Sequence, residues 1–317
     1  GTSMTQIGNS NEFIGCTGDE IFKYNIESGD YHSVSSFGTL FGDFIDDNQG
    51  HCYYRANNNG DTYSYKLDVF TMKYERANFN LSFDNAIINP TDENEFLVWK
   101  KIYGSKEQLT AVNFNTGESR MIYEQEIPIH SRIGRIIAEN NKIYSLASLE
   151  FNGKMSLFID SYDLDTDTYK EEIFYTNDSL EYHYELNWLK GFVMDTDGKL
   201  YGAGTLIPND DQFYMFSFAT SNSNFEILAP ITDDIGNNLV GNLVIDEEQN
   251  IFGNCDEGGA HDLGSVFSYN PLNDQIDLVY SHLPNSDFET KSGLALAPNG
   301  DIIGMSSSLD TNIHRHI

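Results

Sequence analysis

The sequence predicts an all-β fold, a β-propeller built from four-stranded antiparallel blades. Three observations support this prediction. Aromatic residues make up 13% of the chain, and Asn, Asp, Gly and Ser recur between short apolar runs, which favours strands and turns over helices. A two-part motif recurs along the chain. Its period is roughly 45 to 57 residues, which is typical of propeller blades and solenoids.

The two motifs follow each other in a fixed order. The first is a glycine followed by an apolar pair, a polar turn and a second apolar strand. It begins at Gly42, Gly134, Gly191, Gly241 and Gly293, and Asn85 begins a copy without the glycine. The second motif places aromatic residues at alternate positions before a turn. It occurs at residues 21–25, 62–66, 215–219 and 266–270. Alternation with a period of two indicates strands with two distinct faces.

Each unit contains four short strands. In the second unit we expect them at residues 43–46, 51–55, 62–67 and 72–77. Because side chains alternate between the two faces of a strand, both faces of each blade must be covered. Neighbouring blades of a propeller provide that cover.

The number of blades depends on the chain ends. Six complete units precede residues 293–308, and a weaker remnant follows at 312–317. Residues 5–25 resemble the last unit, so we favour seven blades with the two ends in separate blades. Six blades follow if the terminal segments complete one blade together. We expect residues 1–317 to form a single domain, with Gly-Thr-Ser before Met4 left over from cloning.

The charge of the chain restricts its partners. With 18 Lys and Arg against 49 Asp and Glu, the net charge is −31, which argues against binding to nucleic acids or anionic membranes. Neutral sugars, cations and basic protein surfaces remain, and solubility alone could explain the acidity. No run approaches the ~18 apolar residues of a membrane-spanning helix. We expect a monomer without membrane insertion.

The best-preserved copy of the repeat lies near the end of the chain. Its strands at Ser265, Val266 and Phe267, and the Leu200, Tyr201, Gly202 strand of the preceding unit, resemble a bacterial β-propeller repeat family with GTVF-like and LYG-like strands. That family is usually found in secreted or surface proteins. The resemblance implies a propeller fold and an extracellular or cell-surface location in a bacterium. It supplies no catalytic residues.

Candidate binding residues fall in loops that should share one face of the propeller. These are the loops between the second and third strands of a blade and the loops that join blades. We expect an aromatic and locally basic patch there, made by Trp99, Lys101, His130, Arg132, His183, Tyr184 and Trp188. His261 lies in a glycine-rich second-to-third-strand loop and is a further candidate. In the alternative interpretation, Tyr184 and Trp188 cap the blade core and His261 is a solvated turn residue.

Other motifs favour structural interpretations. The alternating carboxylates at residues 163–167 lack the glycine and glutamate of a calcium loop, so we interpret them as a hairpin turn. Residues 195–198 indicate another tight turn. Cys16, Cys52 and Cys255 are expected to be buried and reduced. We find no nucleophile motif and expect no catalytic residues, metal site or cofactor.

The leading functional hypothesis is a non-catalytic recognition module that binds a neutral glycan or a protein through the loop face. The alternative is a carbohydrate-active enzyme, a polysaccharide lyase or glycoside hydrolase. Its acid or base would be His130 or His183, and Arg132 or Lys190 would neutralise a substrate carboxylate. A third hypothesis is a structural spacer without a ligand.

Overall fold

The protein is built from β-strands. The computed structural model describes residues 2–17, 20–36, 38–80, 86–102, 106–126, 131–151, 154–177, 189–205, 212–283 and 293–304. Within these ranges the strands form six four-stranded antiparallel sheets and one two-stranded sheet. No helix among the described residues has the length and apolar character needed to span a membrane.

The chain divides into two compact units. The first comprises residues Gly1–Phe151 and Phe158–Glu171, and the second comprises Asn152–Leu157 and Glu172–Ile317. In every four-stranded sheet, the strands are hydrogen-bonded in chain order. This is the strand order expected of propeller blades.

The first four sheets begin in the first unit. Sheet 1 contains β1 (Thr2–Gln6), β2 (Glu12–Thr17), β3 (Glu20–Asn25) and β4 (Tyr31–Ser35). Sheet 2 contains β5 (Thr39–Asp46), β6 (His51–Asn58), β7 (Asp61–Asp68) and β8 (Lys73–Arg76). Sheet 3 contains β9 (Ala86–Ile88), β10 (Glu95–Ile102), β11 (Lys106–Asn113) and β12 (Ser119–Glu126). Sheet 4 contains β13 (Ser131–Glu139), β14 (Lys142–Phe151), β15 (Lys154–Asp163) and β16 (Thr168–Asn177).

The remaining sheets belong to the second unit. Sheet 5 contains β17 (Leu189–Met194), β18 (Lys199–Thr205), β19 (Phe213–Ala219) and β20 (Asn224–Ile231). Sheet 6 contains β21 (Asn237–Ile245), β22 (Ile251–Glu257), β23 (Ser265–Asn270) and β24 (Gln275–Ser281). The two-stranded sheet contains β25 (Leu294–Leu296) and β26 (Ile302–Gly304). The four strands predicted for the second repeat unit are confirmed, although β5 begins before the predicted residue 43.

The first and the last described strands of the chain lie in different sheets. Sheet 1 is complete with the four N-terminal strands, while β25 and β26 pair only with each other among the described strands. The described residues therefore contain six complete blades and a separate seventh sheet of two strands. Residues 305–317, which would extend that sheet in the seven-bladed prediction, lie outside the described residues.

Apolar side chains fill the spaces between neighbouring sheets of the first unit. Tyr53 and Tyr54 of β6 show why both faces of a blade are buried. Tyr54 joins the cluster that contains Ile14 and Ile21 of sheet 1, whereas Tyr53 joins the cluster that contains Phe96 of sheet 3. Successive residues of a strand point to opposite faces, so adjacent tyrosines serve two different cores.

Strand glycines let aromatic rings approach the backbone in the second unit. A Cβ added to Gly202 of β18 would lie 2.4 Å from Phe216, and one added to Gly253 of β22 would lie 2.3 Å from Phe267. Phe216 and Phe267 are themselves fully buried. The glycine of the LYG-like strand is therefore a packing requirement, because any side chain there would displace a core ring.

The turn between the third and fourth strands repeats from blade to blade. Its first residue is an Asn or Asp whose Oδ1 accepts backbone N–H groups two or three residues further on. The residues are Asn25, Asp68, Asn113, Asp163 and Asn270. Side chains of this type stabilise turns by this local bonding. The carboxylates at 163–167 thus form a hairpin turn, as predicted.

All three cysteines are buried thiols outside any disulfide, as predicted. Cys16, Cys52 and Cys255 expose at most 1% of their surface, and burial raises the pKa of the Cys52 thiol and raises that of Cys255 to about 12. Since the thiolate is the reactive form, we expect no thiol to be alkylated by iodoacetamide at pH 8 in the folded protein. All three should react after unfolding without reductant, as counted by mass spectrometry. A single label in the unfolded, unreduced chain would instead reveal a disulfide.

Candidate functional site

The structure describes only part of the predicted binding patch. His130, His183, Tyr184 and Trp188 lie outside the described residues. Lys101 and Arg132 lie in the described backbone, where Lys101 of β10 pairs with Glu107 and Arg132 of β13 pairs with Ser148. Side-chain positions are described for Trp99 and His261. Convergence of all eight residues on one patch therefore stays a prediction.

Trp99 is a core residue. Its side chain is 1% exposed and packs in a cluster with Leu109 of the same sheet and Tyr162 of sheet 4. Its indole N–H donates to Glu107 Oε2 over 3.3 Å. The ring is inside the protein because it lies on the strand face that meets the next sheet. This position assigns Trp99 to packing, and a surface ligand cannot reach the ring in this conformation.

A buried polar network adjoins Trp99 between sheets 3 and 4. Gln125 Nε2 donates to Glu107 Oε2 over 3.4 Å and to the Tyr169 hydroxyl over 2.9 Å. The Tyr169 hydroxyl donates to Asp160 Oδ1. Tyr123 stacks on Tyr169 with the ring centroids 4.8 Å apart. Two buried carboxyl groups, Glu107 and Asp160, are thus joined through an amide and a phenol.

Asp160 is the most perturbed carboxyl of this network. Its side chain is fully buried, and its Oδ2 has no hydrogen-bond partner among the described residues. The pKa of Asp160 is raised to about 8, chiefly by burial and also by the charges of Glu107 and Glu171, against the lowering effect of the hydrogen bond from Tyr169. Asp160 is therefore mostly protonated at neutral pH, because desolvation penalises the charged form.

The positions of Asp160 and Glu107 within their strands indicate this network in the sequence. Asp160 lies in phase with Tyr162 on β15, and Glu107 lies in phase with Leu109 on β11, so both acids occupy core-facing positions. An acidic residue in the inward phase of a strand indicates a buried network or a functional group.

The loop that carries His261, residues 258–264, is fixed by internal hydrogen bonds. Gly258 N–H donates to Asp262 Oδ1, and Gly264 N–H donates to the Gly258 carbonyl, each over 3.1 Å. Gly258, Gly259 and Gly264 have positive φ angles of 76°, 74° and 93°. Glycine suits these positions because it adopts this conformation without strain. His261 is exposed at the tip of this ordered loop.

A blade-joining loop supports the His261 loop. Gly259 N–H donates to the Asp233 carbonyl over 2.8 Å, and the Ser265 hydroxyl donates to the Ile235 carbonyl. Asp233 and Ile235 belong to the connection between β20 and β21. For sheet 6, the structure therefore confirms that the second-to-third-strand loop and the blade-joining loop lie on one face. This end of sheet 6 is the described part of the face that carries these two kinds of loop, which we call the loop face.

The described part of the chain contains no cluster of metal-binding side chains. No group of three or more His, Cys, Asp or Glu side chains there could hold a metal ion. The carboxylate of Asp163, for example, already interacts with groups of the protein itself. Its Oδ1 accepts the backbone N–H groups of Asp165 and Thr166, each over 3.0 Å, and its Oδ2 lies 3.5 Å from Lys142 Nζ.

No protein-family model and no curated protein sequence matches the chain. Solved structures match it in fold. An oligogalacturonate lyase in complex with manganese matches with a TM-score of 0.60 at 11% identity, over 95% of this chain and 84% of that chain. The tricorn protease matches with a TM-score of 0.55 at 12% identity, over 96% of this chain but only 33% of that chain.

A third structure matches over nearly its whole length. The β-propeller domain of the Trilobed protease from Pyrococcus furiosus gives a TM-score of 0.52 at 12% identity, over 98% of each chain. At such identities the similarity shows the fold alone. Together with the six four-stranded antiparallel sheets, it establishes that the chain is a β-propeller protein.

Proposed function

We propose that this β-propeller is a non-catalytic recognition module that binds a neutral glycan or a protein through its loop face. The observation that carries the proposal is the ordered loop at residues 258–264. Its hydrogen bonds hold it in one conformation, its glycines allow the positive φ angles of that conformation, and it exposes His261 and Asp262 to solvent. A loop that is ordered before binding loses little conformational entropy when a ligand binds.

Charge narrows the choice of ligand. At a net charge of −31, the long-range field repels polyanions and attracts cationic surfaces, and it leaves neutral sugars unaffected. The resemblance to a repeat family of secreted and surface proteins supports an extracellular or cell-surface setting. We propose that the chain acts there as a monomer, with Trp188, Tyr184, His183 and His130 as further contacts.

Glycan-array screening and affinity measurements on alanine variants test this proposal. We expect His261→Ala and Trp188→Ala each to weaken binding of the array-selected glycan, or of a captured protein, about tenfold. His32→Ala removes an exposed histidine from β4 and is the matched control, with no expected change. Unchanged affinity in both loop variants would exclude the loop face as the binding site.

An activity screen separates this proposal from the carbohydrate-active enzyme that the sequence leaves open. We would incubate the protein with neutral and uronate-containing polysaccharides and measure new reducing ends and unsaturated products. We expect neither product. Products that form with the original protein and disappear with His183→Ala would overturn the non-catalytic assignment.

A further inference from the structure

The outermost strands of the six blades differ in how they discourage pairing with other chains. Edge strands expose unpaired backbone groups, and proteins usually protect them with Lys, Pro or other charges. Four of the six carry a Lys, Arg or Pro. These are Lys73 and Arg76 in β8, Arg120 in β12, Lys170 in β16 and Pro230 in β20. Strands β4 and β24 lack Lys, Arg and Pro. Strand β4 is mostly polar, whereas β24 has one charged residue, Asp277, next to exposed aliphatic side chains.

Strand β24 exposes two adjacent aliphatic side chains. Leu278 is 37% exposed and Val279 is 42% exposed. The register between β23 and β24 shifts at this point, where Phe267 pairs with Leu278 and Val266 pairs with Tyr280. Val279 is therefore the extra residue of a bulge. Leu283, just beyond the strand, is 56% exposed and extends the apolar edge.

The surroundings of β24 are strongly acidic. Residues 200–290 contain 15 Asp and Glu and no Lys or Arg. This stretch includes most of sheet 5 and all of sheet 6, and β20 of sheet 5 contacts β24. Asp274 and Asp277 are exposed beside the edge. An apolar edge without any basic residue in such a field disfavours a second copy of this chain and favours a cationic segment.

We propose that the outer edge of β24 is a docking site for an extended, lysine- or arginine-rich segment of a partner protein, which adds to sheet 6 as a fifth strand. Backbone hydrogen bonds to the edge supply affinity in this mode, and alternate side chains supply specificity. Apolar residues of the segment cover Leu278 and Val279, and its cations face Asp274 and Asp277. This interface adjoins the loop face at the end of β24, where the Ala260 N–H donates to the Ser281 hydroxyl over 2.9 Å. The proposal does not depend on the function proposed for the loop face.

A model peptide tests the proposal on the intact protein. The probe is an acetylated and amidated seven-residue peptide of alternating lysine and valine, measured by fluorescence anisotropy at 0.15 M salt, where the Debye length is about 8 Å. We expect saturable binding together with slower amide hydrogen exchange in β24. The double variant Leu278→Lys/Val279→Lys should weaken binding by about tenfold or more, because it removes apolar contact and adds like charge.

Matched controls separate strand addition from charge attraction. Leu272→Lys adds one lysine, half the charge of the double variant, in the turn before β24 at a side chain that is 91% exposed, and it should change affinity by about twofold at most. The same peptide with N-methylated valines keeps its charge but loses backbone donors, so it should not bind. Equal binding of the N-methylated peptide, equal losses in both protein variants, or no saturable binding would each overturn the proposal.

Discussion

Replacing Asp160 by Asn is expected to stabilise the protein at neutral and alkaline pH. The pKa of Asp160 is raised from 3.8 to about 8 in the folded state. Below pH 4 the carboxyl is neutral in the folded and the unfolded state, so it does not lower the free energy of unfolding. Between pH 4 and 8 the unfolded chain releases this proton and the folded chain retains it, so the free energy of unfolding falls by about 1.4 kcal/mol per pH unit. Above pH 8 the loss in the free energy of unfolding that Asp160 causes is constant, on the order of 5 kcal/mol.

The groups that face Asp160 account for its raised pKa. Glu107 from β11 and Glu171 from β16 raise its pKa, as burial does, and Tyr169 donates one hydrogen bond to it. Tyr123 from β12 stacks on Tyr169 and adds no positive charge. An asparagine keeps the shape and the acceptor for Tyr169 but never ionises, so the variant avoids the cost of a buried charge.

Chemical denaturation at several pH values measures this difference. The unfolding free energies of Asp160→Asn and the original protein should coincide near pH 4 and separate steadily up to pH 8, with the variant more stable. Asp165→Asn, at an exposed turn position in the same blade, is the control and should run parallel to the original protein. Two parallel curves for Asp160→Asn as well would refute the assignment of a neutral, buried Asp160.

The fold could be predicted because its signals are local. The turn residues Asn25 and Asp163 bond to their own neighbouring backbone, and strands such as β23 alternate between buried and half-buried residues, so short stretches of sequence contain the information. Because these local patterns repeat along the chain, the blades could be predicted without knowledge of any long-range contact. The blade count was harder, because it depends on how the two ends pair, which no local pattern specifies.

The site could not be predicted in the same way. Whether a residue near a loop points into the core or into solvent depends on the phase and twist of its strand and on the neighbouring blade. Trp99 lies close to the end of β10, yet its partners are Glu107 across the hairpin and Tyr162 in the next sheet. The link from Glu107 to Asp160 joins residues far apart in sequence, and tertiary packing alone brings them together.

Replacing Trp99 by Ala is expected to destabilise the fold rather than to weaken a ligand. Trp99 is 1% exposed and sits between sheets 3 and 4, so truncation leaves a large cavity. Such substitutions typically cost about 3–5 kcal/mol. The loss of the indole N–H also removes a donor from the buried Glu107, which adds to the cost. Trp99→Phe keeps most of the ring volume and should cost about 1–3 kcal/mol.

Urea unfolding followed by circular dichroism, with hydrogen exchange of β10 and β11, measures the effect. Met121→Ala is the matched control, because Met121 is 60% exposed on β12 of the same sheet and its truncation should cost about 0.5 kcal/mol or less. The predicted order of stability is Met121→Ala, then Trp99→Phe, then Trp99→Ala. If Trp99→Ala instead unfolds like the control and loses affinity for the glycan or protein selected by the binding screen, Trp99 belongs to the binding surface.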